Sequence, residues 1–300
     1  MKPRINIIGS GRVGRTLARR WQDSALAEIG QIVNRSPEQS QAALAFIGAG
    51  SLCQRLQDLQ PADIWLVTAP DGAIASLAEQ LAALPLAWSG SVVCHCSGAH
   101  GSQLLAALAE RGAAIASVHP IHSFANPEAS LASLAGCYAG AEGEPQALAQ
   151  LQPLFTGIGL HWLTLNGEHK KLYHAAAVFA CNYFVTLLHS AEQCLQAAGS
   201  DNNLNLAILR PLIEQTLSNT LSLGPTAALT GPVQRAEVSL LQQQWQAITQ
   251  LDPKLAELYR ALAQATMAMA SPQQQASQAW QQMQALFQQP LASLTEMSDQ

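Results

Sequence analysis

An apolar run that ends in three spaced glycines, Ile5-Asn6-Ile7-Ile8-Gly9-Ser10-Gly11-Arg12-Val13-Gly14, constrains this chain more than any other feature. The spacing is G-x-G-x-x-G between a short buried strand and the start of a helix. Each glycine answers a physical need. Gly9 permits the tight turn, Gly11 lets backbone approach a pyrophosphate, and Gly14 lets the helix sit close on the strand. Free N–H groups and the positive end of the helix dipole then face the phosphates. Gly9, Ser10, Gly11, Arg12, Val13 and Gly14 are therefore candidate dinucleotide contacts.

The next strand, Glu28 to Val33, ends at Asn34-Arg35-Ser36. An acidic residue here would hold a ribose 2′-hydroxyl. Arg35 and Ser36 instead suit a 2′-phosphate, with Arg12 as a second cation, so the expected cofactor is NADP(H) rather than NAD. Further strands follow at Asp63 to Val67, Ser91 to Cys96 and Ala114 to Val118, with helices at Val13 to Ser24, Pro37 to Leu44, Ile74 to Leu84 and Leu104 to Arg111. This alternation implies an α/β N-terminal domain, a doubly wound and mainly parallel sheet. Two more strands are expected near Gly136 to Ala141 and His161 to Leu165. Thr68, Ala69, Pro70, Ser97 and Gly98 lie at strand ends that face the ligand crevice.

From Glu168 glycine becomes rare and helical patterns dominate, so an all-α C-terminal domain is expected. The division is 1–165 for nucleotide binding and 166–300 for substrate binding and dimerisation. A single helix from Glu168 to Ala198 would put Lys171, His174, Val178, Asn182, Val185 and His189 on one stripe. Buried polar groups need partners, and a small-molecule substrate is one. His174 is the leading acid–base candidate and His119 the alternative, with Lys171 also in the catalytic set. Asn182 and Ser97 would orient substrate, and Arg235, after Gly231-Pro232, would bind its carboxylate or phosphate. Later helices are expected over Asn203 to Leu223, Ala236 to Gln250, Pro253 to Ala270 and Pro272 to Leu286, with a frayed tail after Leu291.

Bulk properties narrow the classes. A net charge of -5 with no basic run argues against nucleic-acid binding. The basic residues near the start precede an apolar run too short and broken for a targeting segment. The stretch Leu172 to Leu188 contains His174 and Asn182 and is short for a membrane span, so a buried helix is expected. The scattered cysteines suit a reducing, cytoplasmic setting. Cys94, His95, Cys96, His100, His119 and His122 invite a metal reading. No C-x-x-C or paired-histidine spacing supports it, so buried thiols and crevice histidines are preferred and no metal is assigned.

The glycine loop, Asn34-Arg35-Ser36, His95-Cys96-Ser97-Gly98-Ala99, His119-Pro120 with Phe124, Lys171-Leu172-Tyr173-His174, Asn182-Tyr183 and Gly231-Pro232-Val233-Gln234-Arg235 together resemble a bacterial family with a Rossmann-like half and a helical half, domain of unknown function 2520. Its wider relatives are the 6-phosphogluconate dehydrogenase-like proteins, including pyrroline-5-carboxylate and ketopantoate reductases. The resemblance implies NADP binding and a helical domain that often forms a homodimer. Hydroxyacid dehydrogenases of this superfamily carry a catalytic lysine with asparagine four residues later. Gly167-x-x-x-Lys171 matches the start of that motif, but the later position is Ala175. His174 then stands in for the lysine, with Asn182 two turns on. The resulting expectation is an NADP-dependent oxidoreductase acting on a small carbonyl or imine held between the domains. The alternatives are a non-catalytic NADP sensor or scaffold, and hydride exchange with a flavin-like second cofactor.

Overall fold

The computed structural model describes residues 2–201 and 204–289. The chain divides into two compact units, Met1–Asn182 and Tyr183–Gln300.

In the first unit, β1 (Arg4–Ile8), β2 (Glu28–Val33), β3 (Ser51–Leu52), β4 (Ile64–Val67), β5 (Val92–His95), β6 (Ala114–Pro120), β7 (Tyr138–Gly143) and β8 (His161–Thr164) form one sheet. Its order is β3-β2-β1-β4-β5-β6-β7-β8. Neighbours run parallel except β6 and β7, where Ser117 pairs with Glu142 and His119 with Gly140. The helices between them are α1 (Arg12–Asp23), α2 (Pro37–Ile47), α3 (Asp71–Ala82), α4 (Ala106–Ala109), α5 (Pro127–Ser133) and α6 (Pro145–Gly157). The doubly wound, mainly parallel sheet is as expected. The two-residue β3 was not anticipated, because two residues carry no periodicity. The helix expected over Leu104 to Arg111 is a 3-10 turn, Ser102–Leu105, followed by α4.

Strand alternation builds two cores. Ile5, Ile7, Ile64, Leu66, Val92 and Cys94 face one side and meet Leu17, Ala18 and Trp21 of α1 and Leu151 and Phe155 of α6. Ile8, Trp65, Val67, Val93 and Ile115 face the other and meet Ile74, Ala78 and Leu81 of α3. This is the period of two expected for strands covered on both faces. Trp21 locks α1 to α6: its indole N–H donates to the Leu154 carbonyl at 3.0 Å, and its ring meets Phe155 edge-on at 5.4 Å. Burying one such side chain is worth about 3 kcal/mol.

The first unit continues past β8 through a 3-10 turn, Gly167–His169, into α7 (Lys170–Ala177) and a π-helical turn, Val178–Asn182. The single regular helix expected from Glu168 to Ala198 is thus interrupted. A π turn is wider than an α turn, so the regular spacing of three and four residues does not carry through Val178–Asn182.

The second unit contains α8 (Tyr183–Ala197), α9 (Asn205–Leu223), α10 (Pro225–Ala228), α11 (Val238–Leu251), α12 (Pro253–Met267), α13 (Pro272–Gln275) and α14 (Gln278–Gln288). Its core joins Leu241 and Trp245 of α11, Ala256 and Ala263 of α12, and Trp280, Met283 and Phe287 of α14. Ser277 caps α14, dividing the helix expected over Pro272 to Leu286. Asn203 and the tail after Leu291 lie outside the described residues. The stretch from Leu172 to Leu188 is helical, as expected, but it is not buried: among the described residues α8 buries none of its side chains. Helix Gly167–Ala197 is long and apolar enough to meet a membrane-span criterion by length and composition.

Candidate functional site

The glycine loop is built around close backbone contact. Gly9 adopts φ +81°, and a Cβ there would lie 3.0 Å from the Ala69 nitrogen. At Gly14 a methyl would overlap Thr68 Oγ1. Thr68 Oγ1 in turn donates to the Gly9 carbonyl, and its backbone N–H donates to Ile8 at 2.9 Å. So Thr68 and Ala69 shape the loop from beneath. Pro70 is the exposed residue preceding α3.

Gly11 differs from its two partners: no heavy atom lies within 4 Å of where its Cβ would stand. It also begins α1 without a side-chain cap and with no acidic residue in the first turn. The orphan N–H groups of a helix start need an acceptor. An open pocket of about 470 Å³ lies here, lined by Gly11, Arg12, Val13, Thr68, Ser123, Phe124 and Ala125. These features fit a pyrophosphate-bearing dinucleotide. Arg12 reaches across and donates to the Ala125 carbonyl at 3.2 Å.

Asn34 serves the loop from within. Its Oδ1 accepts from the Ser10 N–H at 2.6 Å, and its Nδ2 donates to Ser10 Oγ at 2.8 Å and Ser40 Oγ at 3.1 Å. Ser36 caps α2 by accepting from the Gln39 N–H, and donates to Glu38 Oε2 at 2.6 Å. That hydrogen bond holds the Glu38 carboxyl below its usual range. Arg35 is exposed.

A second group of side chains gathers at the carboxyl ends of β5 and β6. Gly98 is buried, and a Cβ there would lie 2.9 Å from His119 Nε2 and would overlap the His174 ring. His119 Nδ1 is 3.0 Å from the Tyr173 hydroxyl, with the rings perpendicular. The His174 ring centre is 6.0 Å from that of His119. The His119–Tyr173 contact joins the two side chains directly, beside Gly98. Burial lowers the His119 pKa to about 4 and raises that of Tyr173 to about 12, so both are neutral at pH 7.

Beneath lies a buried polar cluster. Lys170, 1% exposed, donates to the carbonyls of Ser97 and His100, each at 2.8 Å, and to Ser117 Oγ. Its Nζ is 3.8 Å from Glu142 Oε1. Glu142 accepts from the Ser102 N–H at 2.7 Å and hydroxyl at 2.9 Å. His95 Nδ1 accepts from the Ser97 N–H at 3.1 Å, and Nε2 donates to the Gly101 carbonyl at 3.0 Å.

Helix α7 thus brings Lys170, Tyr173 and His174 to one face at i, i+3 and i+4. Lys171, the lysine chosen on sequence, is exposed. Asn182 is also exposed, at the end of the π turn. The Ser97 hydroxyl accepts from the His100 N–H at 3.1 Å, a contact within its own turn. Arg235 lies in the second unit, exposed and paired with Glu237 at 2.8 Å. Lys170, Glu142, Ser117 and Tyr173 were not singled out. Glu142 held the signal, because a carboxylate in the apolar strand Tyr138–Gly143 requires a buried cation.

The fold and loop define a Rossmann-class protein with a helical second half. Residues 1–120 match the model of a Rossmann-like domain, and residues 137–266 match that of a domain of unknown function, DUF2520. The two matches fall in order on the sheet-bearing part and on the stretch that runs into the helical part of the chain. No curated protein matches its sequence. Among solved structures it is similar to a Bacteroides fragilis protein, BF3122, with a provisional NADP-oxidoreductase assignment. That pair shares 19% identity and a TM-score of 0.74 over 88% of this chain and 98% of the other. Protein TM1727 of Thermotoga maritima shares 24% identity and a TM-score of 0.70 over 90% and 99%. An Aspergillus terreus reductive aminase, solved with NADPH and ethyl levulinate, shares 13% identity and a TM-score of 0.67 over 99% of each chain. Pyrroline-5-carboxylate reductases share the fold as well.

The buried histidine makes stability depend on pH. Burial lowers the His95 pKa from 6.5 to about 4, so between those values the unfolded chain binds the extra proton. The contribution is complete above pH 6.5 and is lost as pH falls toward 4. It amounts to about 3 kcal/mol. Urea unfolding between pH 7 and pH 4 should show this loss, and His95→Gln should reduce it, leaving the part due to His119, whose pKa burial also lowers to about 4.

Proposed function

We propose that this protein is an NADP-dependent reductase of a small carbonyl or imine. The observation that carries the reading is the open space above Gly11 at an uncapped helix start, with the pair of His119 on β6 and His174 on α7 in the same unit. The similarity to the NADPH-bound reductive aminase supports the cofactor class. Selection for the 2′-phosphate falls on Arg35, with Arg12 at the pocket as a second cation, since Ser36 is committed to the α2 cap and to Glu38.

In such a reaction the nicotinamide supplies the hydride, and the chain must position the substrate and supply a proton. His119 and Tyr173 are both neutral at pH 7 and spend their shared proton on each other. His174 is the remaining group beside Gly98 and is assigned the proton transfer. The experiment is NADPH consumption with a panel of keto acids, aldehydes and cyclic imines. Turnover is expected for a member of the panel, and His174→Gln should lower kcat/KM by about 10²-fold or more while NADPH affinity stays within about twofold. Binding without turnover across the panel would contradict the reading and favour a nucleotide sensor. Collapse of NADPH affinity in His174→Gln would contradict the assigned role.

We also propose that a second copy of the chain covers α8 and α9. Leu206, Ile208, Leu212, Leu217 and Leu221 on α9 are 49–78% exposed. Glu192, Arg210 and Glu214 interrupt these helices and disfavour a lipid environment. Sedimentation equilibrium should give a dimer, and Leu217→Asp with Leu221→Asp should give a monomer. A monomeric parent protein, or one that partitions into lipid vesicles, would contradict this.

A further inference from the structure

The Lys170 ammonium has three N–H donors, and three protein oxygens take them: the carbonyls of Ser97 and His100 and the hydroxyl of Ser117. With every donor used and 1% of the residue exposed, this lysine has nothing to offer a substrate directly. What it holds is the turn after β5. Ser117 Oγ, which accepts from Lys170, also lies 3.2 Å from His95 Nδ1, 3.3 Å from the Ser97 carbonyl and 3.4 Å from the His100 carbonyl. His95 also takes the Ser97 N–H and passes its Nε2 proton to Gly101. Glu142 then holds Ser102. The backbone from Ser97 to Ser102 is therefore fixed by buried side chains of β5, β6, β7 and α7. Gly98, within this turn, stands so close to both site histidines that even a methyl is excluded.

We infer that Lys170 is a positioning residue: its ammonium holds the Ser97–Ser102 turn in the shape that sets Gly98 against His119 and His174. The consequence for turnover rests on the reading of that histidine pair as the reacting centre, whereas the coupling itself does not.

The groups facing Lys170 are Glu142 on β7, His95 on β5 and Cys96 just after it, His119 on β6 and Asp71 at the start of α3. Burial keeps the two histidines neutral at pH 7 and raises the Cys96 thiol to about 12. Burial also lowers the Lys170 pKa to about 8, against the opposing pull of Glu142. Loss of that proton leaves three oxygens sharing two donors, and the turn loosens in mildly alkaline solution.

The test is histidine-ring NMR of the full chain, without substrate or dinucleotide, between pH 6.5 and 9.5. The His119 ring resonances should shift with a midpoint near pH 8, a step its own ionisation near 4 does not produce. Lys170→Met should abolish the step. Glu142→Gln, which removes the facing charge and keeps an acceptor for Ser102, should move it to lower pH. No step in the parent protein, or the same step in folded Lys170→Met, overturns the inference. If Lys170→Met does not fold, an unchanged midpoint in Glu142→Gln overturns it. A protein that shows the step but reduces no substrate would refute the reductase reading alone.

Discussion

The first unit depends on a crossing with no spare room. β1, α1 and the end of β4 meet where Gly9 lies on Ala69 and Gly14 on Thr68. The Thr68 hydroxyl occupies the space a Gly14 side chain would need and satisfies the Gly9 carbonyl. This contact lets α1 approach the sheet closely enough for Leu17, Ala18 and Trp21 to reach the core. It also leaves the start of α1 open above Gly11. Close packing below and open space above have one cause, the absence of side chains at three positions of a single turn.

The second constraint is electrostatic. Burying an ammonium costs on the order of several kcal/mol unless hydrogen bonds and an opposite charge compensate. Lys170 meets both conditions through three oxygens and Glu142. The antiparallel pairing of β6 with β7 makes this possible, because it places Ser117 opposite Glu142. That odd strand in a parallel sheet thus brings hydroxyl and carboxylate together under the turn that carries Gly98. The histidine site is built on this layer, and its two inner members are held neutral by the same burial.

Sequence reading reached the alternation of strands and helices, the glycine loop and the change of texture near Glu168, because each is a local pattern. Which of two adjacent lysines is buried was not legible, for a physical reason. Lys170 and Lys171 are adjacent, and both fall three or four residues from His174. Only the partner on β7, about thirty positions back, distinguishes them. The π turn at Val178–Asn182 leaves no mark in apolar periodicity, so the helical spacing from His174 to Asn182 was read as unbroken. Asn34 and Ser36 were recognised as important but given ligand roles. Their hydrogen bonds run to Ser10, Ser40 and the α2 cap, contacts that depend on how two turns fold together. Arg235 was placed by motif, and its carboxylate partner two residues on absorbs its charge.

The central claim is that the space above Gly11 holds the pyrophosphate of a nicotinamide dinucleotide. Calorimetric titration of NADPH into the parent protein and into Gly11→Val tests it directly, since the valine side chain enters empty space and leaves the packing beneath undisturbed. The account predicts saturable one-site binding in the parent protein, and its loss in a variant with unchanged thermal stability. Absence of binding in the parent protein, or equal affinity in Gly11→Val, would contradict it.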